Sequence, residues 1–137
     1  IFWNYMISKG ESHMELNTLI DRVKSHPDYA NVGMILCHNG VVRGTSRDGR
    51  RVSGLTLTVD REALDAILAE QRQRPGIIEV LVEISDGSLK VGDHVMFIVV
   101  AGDFRDHVIP VLEDTLNAIK KRVTQKTEHF IESGVME

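Results

Sequence analysis

The 137-residue chain has a single cysteine, three prolines and few aromatic side chains, which make up 5% of its residues. One cysteine, Cys37, excludes a disulfide within the chain and any metal site built from cysteines alone. Cys37 follows Met34-Ile-Leu in an apolar run, and this context predicts a buried strand residue. Such sparse cysteine usage is consistent with a reducing, cytoplasmic compartment.

Several sequence signatures of function are also missing. No apolar run approaches the ~20 residues that a membrane-spanning helix needs. The chain has no glycine-rich phosphate loop and no Gly-x-Ser-x-Gly motif. Its six histidines are scattered, so no spacing suggests a metal site. The net charge of −4 argues against a dedicated nucleic-acid-binding protein.

What remains is the composition of an ordinary soluble globular protein, with 42% hydrophobic and 26% charged residues. The length suits one domain with a hydrophobic core, which we place at residues 14–130. Residues 1–13 are predicted to be an N-terminal extension, in which Met6 is a plausible native start. Residues 131–137 are predicted to be a C-terminal tail.

Hydrophobic periodicity predicts the element order α-ββα-ββα. The predicted helices cover residues 15–25, 61–74 and 103–123, and the predicted strands cover residues 31–42, 51–59, 77–84 and 94–101. This order is typical of an α+β fold in which helices are packed on a mainly antiparallel sheet.

Turn and cap residues refine this prediction. Asp48-Gly49 is a turn signal, so the first two strands are expected to form a hairpin with a basic, mobile tip. The tip has three arginines that are predicted to be solvated: Arg47, Arg50 and Arg51. Asp60 and Asp103 are predicted N-caps. Pro110 would either kink the last helix or mark a restart after a short first turn.

Cations are concentrated near the last helix of this acidic chain. Arg105 lies near the predicted start of that helix, and Lys120-Lys121 lie near its end. Arginine binds phosphate in a bidentate manner, and a lysine among other cations can act as a base or nucleophile. These residues favour a site for an anionic ligand, although basic residues in a last turn also stabilise a helix through its dipole.

Three parts of residues 16–130 form a recognisable pattern: Val32–Gly44, Gly87–Asp93, and Phe104-Arg105 with the later Lys120. Together they resemble the molybdopterin synthase large (catalytic) subunit family. The segment Val32-Gly-Met-Ile-Leu-Cys-His-Asn-Gly-Val-Val-Arg43-Gly resembles the family's opening strand with its Gly-x-Val-Arg ending. Gly87-Ser-Leu-Lys-Val-Gly92-Asp resembles a family turn between two strands. Phe104-Arg105 and the later Lys120 are similar to the family's His-Arg and Leu-Lys on the last helix.

The chain also departs from the family pattern. Ile84-Ser85 stands where the family has a His-Arg pair, Phe104 replaces the histidine of a second His-Arg pair, and His38 replaces a family aromatic residue. The family's last Pro-x-Trp-Lys element has neither its proline nor its tryptophan here. Without a gap the family's second lysine falls on Thr127, and with one deletion it falls on Lys126.

The resemblance implies an α/β-hammerhead fold and a homodimer whose sites are shared between chains. It implies a sulfur transferase that converts cyclic pyranopterin monophosphate to molybdopterin, by adding two sulfurs as a dithiolene, in molybdenum cofactor biosynthesis. The sulfur arrives as a thiocarboxylate on the C-terminal Gly-Gly of a small ubiquitin-like subunit. Neither a metal nor a cofactor is implied.

Carried onto this chain, the resemblance implies two groups of site residues. The implied catalytic residues are Lys120 and Lys126, and the implied substrate-binding residues are Arg43, Arg105, His38 and Lys121. Fifteen helical residues would separate Arg105 from Lys120 by roughly 22 Å, so a pocket that uses both needs a second copy of the chain.

Two alternatives stay open. The lost family histidines and Trp-Lys element are compatible with a catalytically impaired relative that binds an anionic ligand or partner through the same dimeric fold. The composition equally fits an unrelated α+β interaction module whose basic helix end meets an acidic protein. The sequence therefore leaves catalysis itself undecided.

Overall fold

The computed structural model describes residues 15–132, which form three α-helices, one short 3-10 helix and six strands. The helices are α1 Leu16–Lys24, α2 Arg61–Arg72 and α3 Arg105–Arg122, and the 3-10 helix is Tyr29–Asn31. The strands are β1 Met34–Val41, β2 Val52–Val59, β3 Ile77–Ile84, β4 Gly87–Lys90, β5 His94–Gly102 and β6 Thr124–Phe130. The predictions for residues 1–13 and for most of the tail lie outside the described residues.

The six strands form two three-stranded antiparallel sheets, in the orders β1-β5-β3 and β4-β2-β6. The predicted α+β class with antiparallel pairing is confirmed, but the strands are divided between two sheets. Within residues 15–132 no helix is long and apolar enough to cross a membrane.

The first sheet has a core on each of its faces. Successive residues of β5 point to opposite sides, so Ile98 and Val100 enter the main core while Phe97 and Val99 pack under α1. This double burial explains why β5 is an almost continuous apolar run. The main core also receives the buried stripes of α2 and α3 and three leucines of the second sheet: Leu55, Leu57 and Leu89.

The predicted hairpin between β1 and β2 is wrong. β1 pairs with β5, whereas β2 pairs with β4 and β6, and only Thr45 and Arg51 bridge across the connecting loop. The turn signal itself is correct, because Gly49 has a φ of 91° that a glycine adopts without strain. A turn motif specifies only the local geometry of the backbone. The burial of the strands on either side of the turn decides their pairing partners.

Two strands, β4 and β6, were not predicted. Leu89 is the single buried residue of β4, and β6 has none, so neither shows the apolar alternation that identifies a half-buried strand. Both strands pair with β2, where Gly54 allows a close approach. A Cβ at Gly54 would lie 2.4 Å from the carbonyl oxygen of Leu89, so this position requires glycine.

Several local predictions also differ from the structure. Cys37 is exposed and belongs to neither of the two cores. The first strand begins at Met34, after the 3-10 helix. Asp103 is not the N-cap of α3, because Phe104 occupies that position and Asp103 Oδ1 accepts a hydrogen bond from the Phe104 N–H at 2.6 Å. Pro110 lies inside one continuous helix, so α3 does not restart there.

The predicted N-cap of α2 is confirmed, since Asp60 Oδ1 accepts a hydrogen bond from the Ala63 N–H at 3.0 Å. We expect Asp60→Ala to lower the free energy of unfolding by about 1 kcal/mol in urea denaturation, because this N–H loses its acceptor. Asp65→Ala, at an exposed position of the same helix, is the matched control. An equal loss in both variants would contradict the capping role.

Candidate functional site

A cavity of about 430 Å³ lies where the two sheets meet the C-terminal end of α3. Residues of β1 and β5 line one side, residues of β2 and β6 line the other, and the loop of residues 43–51 completes the lining. Its apolar wall consists of Val41, Val42, Leu55, Leu57, Val95 and Met96. The cavity therefore combines a hydrophobic wall with the ends of several chain segments.

The polar lining of the cavity is strongly cationic. The charged and titratable lining residues are Arg43, Arg47, Lys120, Lys126, Glu128 and His38. Glu128 is the single carboxylate, and its Oε2 lies 4.0 Å from Lys126 Nζ. Four cations face one anion, so the cavity attracts a negatively charged ligand.

Four of the six predicted site residues meet in this cavity: His38, Arg43, Lys120 and Lys126. Arg105 and Lys121 are not in its lining. Arg105 begins α3 and Lys120 lies near its end, which separates them by roughly 22 Å along the helix. Lys121 is exposed and is rotated by about 100° around the helix from Lys120.

The choice between Lys126 and Thr127 follows from the alternation of β6. Lys126 pairs with Leu57 and Glu128 pairs with Leu55, and all four side chains line the cavity. Thr127 points to the opposite face of the strand, because successive side chains alternate. Lys126 is therefore the residue of this pair that lines the same cavity as Lys120.

His38 is half-buried on the face of β1 that lines the cavity. Burial is the main cause that lowers the pKa of His38 below its ordinary value of 6.5, and the positive charge of Lys120 lowers this pKa further. The imidazole is therefore neutral near pH 7, when it can both donate and accept a hydrogen bond.

The loop of residues 43–51, predicted to have a mobile and solvated tip, is held by several contacts. Arg43 donates from Nε to the Thr45 carbonyl and from Nη2 to the Ser46 carbonyl, both at 3.0 Å. The guanidinium of Arg50 stacks 3.6 Å from the ring centroid of Phe130 on β6. The three tip arginines are exposed as predicted, but Arg47 also lines the cavity.

Two charged lining residues, Arg47 and Glu128, were absent from the predicted site. Glu128 could have been found from its spacing of two residues from Lys126, because residues two apart in a strand lie on the same face. This spacing is informative only when β6 is known to be a strand. Arg47 gave no distinct signal among four arginines in nine residues. Only the path of the loop distinguishes it from Arg50 and Arg51.

Comparison with known families identifies the fold and its lineage. The family model described as MoaE protein matches residues 10–122. The chain belongs to the MoaE protein family. The resemblance to the molybdopterin synthase large subunit, inferred from scattered motifs, is thereby confirmed.

Relatives of this MoaE chain include a probable molybdopterin synthase of Haloferax volcanii, which is 30% identical over 122 residues. The match covers 85% of this chain and 47% of that protein, so the chain spans about half the length of this relative. The similarity therefore concerns one part of that relative.

Solved structures share the MoaE fold. The molybdopterin cofactor biosynthesis protein E of Burkholderia multivorans superposes with a TM-score of 0.67 at 19% identity, covering 88% of this chain and 85% of that chain. A complex of subunits 1 and 2 of the molybdopterin-converting factor of Helicobacter pylori matches with a TM-score of 0.64 at 14% identity, covering 88% and 86%. At these identities the likeness establishes the fold alone.

The pKa of His38 gives a direct test of the cavity's electrostatics. We expect Lys120→Met to raise this pKa towards its ordinary value, because the Coulombic cause is removed while burial remains. NMR titration of the His38 ring protons measures the change. Lys121→Met is the matched control and should leave the titration unchanged. If the His38 ring titrates identically in wild type and in Lys120→Met, Lys120 does not lie close enough to His38 to affect its pKa.

The lowered pKa of His38 also makes the free energy of unfolding depend on pH. The pKa of His38 is lower in the folded state than in the unfolded state, so the unfolded state binds more protons as the pH falls below about 6.5. Folding should therefore lose stability in that range. His38→Gln, which does not titrate, should lose less stability between pH 7.5 and pH 5.5 in urea denaturation. A parallel loss in both proteins would remove His38 as the cause.

Proposed function

We propose that this MoaE family chain is the large, catalytic subunit of a molybdopterin synthase, acting in the cytoplasm in molybdenum cofactor biosynthesis. Its substrate would be cyclic pyranopterin monophosphate and its product molybdopterin. The observation that carries the proposal is the convergence of Lys120 and Lys126 with His38 and Arg43 around one cavity.

The chemistry of the cavity suits a flat heterocycle that bears a phosphate. Its volume of about 430 Å³ is in the usual range for small-molecule sites. The apolar wall offers contact area to the pterin rings, and the cations offer charge-assisted hydrogen bonds to the phosphate. A neutral His38 can donate or accept a hydrogen bond at the edge of the heterocycle.

The proposed roles follow from position. Lys120 and Lys126 approach the cavity from α3 and β6 and would be the catalytic residues. Arg43 and His38 would bind the substrate directly. Lys121, outside the lining, would contribute to substrate binding through its charge.

Sulfur would be delivered by a small ubiquitin-like subunit as a thiocarboxylate on its C-terminal Gly-Gly. The Helicobacter pylori neighbour, a complex of two subunits of a molybdopterin-converting factor, supports a partner of this kind. Cys37 is exposed but lies outside the cavity lining, so the proposed mechanism makes no use of its thiol.

Arg105 would join the site only through a homodimer. It lies at the far end of α3 from Lys120, and its neighbour Phe104 is 68% exposed. A large exposed aromatic side chain next to a cation is typical of an interface. A second copy that presents this end of α3 to the cavity would complete the substrate-binding set.

A catalytically impaired relative is the second candidate function. The observation that favours it is Phe104, which stands where the resembled family has a histidine and leaves no titratable side chain there. Such a protein would bind the same anionic ligand or partner through the same cavity and dimer without forming the dithiolene.

Dithiolene formation, assayed with thiocarboxylated small subunit and cyclic pyranopterin monophosphate, separates the two candidates. We expect wild type to form product and Lys120→Ala to lower kcat by about 100-fold or more, because a group that exchanges protons or bonds with the substrate is lost. Lys24→Ala, on the exposed side of α1, is the control. No product from wild type would support the impaired relative, and full activity in Lys120→Ala would remove its catalytic role.

A site that takes Lys120 from one chain and Arg105 from the other predicts that two impaired variants complement each other in a mixed dimer. Arg105→Ala and Lys120→Ala should each be weakly active alone, whereas a mixed dimer should recover activity because one of its two sites has both wild-type residues. Light scattering should give twice the mass of one chain. A monomeric mass, or no recovery on mixing after subunit exchange, would contradict the shared site.

A further inference from the structure

We propose that Arg47 is an additional substrate-binding residue, which presents to the phosphate of the ligand, from a pre-organised loop, a guanidinium that has no partner among residues 15–132. This inference rests on the proposed function for the identity of the ligand. The prediction from sequence was that Arg47 is solvated, and neither the family match nor the resemblance assigns it a role.

The backbone at Arg47 is fixed by a tight turn. Ser46, Arg47, Asp48 and Gly49 form a β-turn in which the Gly49 N–H donates to the Ser46 carbonyl at 3.0 Å. The Ser46 N–H in turn donates to the Arg50 carbonyl at 2.8 Å. Arg47 is therefore the first of the two central residues of a closed turn.

A buried serine holds the inside of this turn. Ser46 is only 5% exposed; its hydroxyl donates to Asp48 Oδ1 and accepts from the Arg50 N–H at 3.1 Å. The hydrogen bond from Ser46 is the main cause that lowers the pKa of Asp48. The carboxylate is thus engaged within the turn, and the described residues include no ion pair between it and Arg47.

Both ends of the loop are attached to the sheets. At the start of the loop the Gly44 carbonyl accepts a hydrogen bond from the Val52 N–H of β2 at 2.9 Å, and towards its end Arg50 stacks on Phe130 of β6. The Ile131 N–H donates to the Arg51 carbonyl at 3.0 Å, which joins the loop to the end of β6. These attachments hold the turn beside the strand that carries Lys126.

Arg43 and Arg47, the two arginines that line the cavity, differ in how many of their side-chain donors remain for a ligand. Arg43 uses two of its donors on Thr45 and Ser46. Among residues 15–132 the side chain of Arg47 has no hydrogen-bond or ion-pair partner, so none of these residues engages its donors. The turn fixes the backbone of Arg47, which limits the positions that its side chain can reach before binding, and the planar guanidinium matches two phosphate oxygens. Repulsion from the other cations of the cavity is relieved when an anion is bound.

The test compares Arg47→Gln with Arg51→Gln, an exposed arginine of the same loop outside the cavity lining. Calorimetry measures Kd for cyclic pyranopterin monophosphate and for inorganic pyrophosphate. Arg47→Gln should raise both Kd values about tenfold, because a hydrogen bond to a charged group is lost, and should flatten their dependence on salt. Arg51→Gln should stay within about twofold of wild type. In the synthase assay, the change should be in KM rather than in kcat.

The outcomes separate this inference from the proposed function. If wild type forms molybdopterin and Arg47→Gln binds as tightly as Arg51→Gln, the role of Arg47 is wrong and the function stands. If wild type does not bind the pterin but Arg47→Gln weakens pyrophosphate binding tenfold, the anion site stands and the function is wrong. If wild type binds neither probe, both are overturned.

Discussion

The burial of one face of α3 is the constraint on which the rest of the structure depends. Val108, Val111, Thr115 and Ile119 are at most 1% exposed, and the three aliphatic residues pack in the main core with residues of both sheets. This packing determines where the C-terminal end of the helix lies. The chain then enters β6 at once, and β6 is held by its pairing with β2. The cavity exists because a rigid helix and a paired strand meet there.

The same arrangement concentrates positive charge in an acidic chain. Four cations line a cavity that contains one carboxylate, whereas the whole chain has a net charge of −4. The four cations are exposed, so solvent screens much of their mutual repulsion, and a bound anion would relieve the remainder. A cationic site of this kind is best explained by an anion that binds there. The proposed substrate, a pterin that bears a phosphate, would supply this negative charge.

Much of the fold was predictable because burial leaves a periodic signal. The stripe of α2, the capping by Asp60 and the long apolar run of β5 were all recognised from spacing alone. β4 and β6 were missed because they are short or lack apolar alternation. The β1–β2 hairpin was wrongly predicted because a turn motif does not reveal which sheet each flanking strand joins.

For the candidate site, the sequence by itself determined the residue types: two lysines, an arginine and a histidine that converge on the cavity as the resemblance implied. Tertiary structure alone decided which residues meet. The alternation of β6 placed Lys126 rather than Thr127 in the cavity that Lys120 lines, and the length of α3 kept Arg105 out of the same cavity. The path of the loop placed Arg47, rather than Arg50 or Arg51, in the lining of the cavity. The reason is physical: residue type determines what a side chain can bind, whereas strand pairing and helix packing determine where it points.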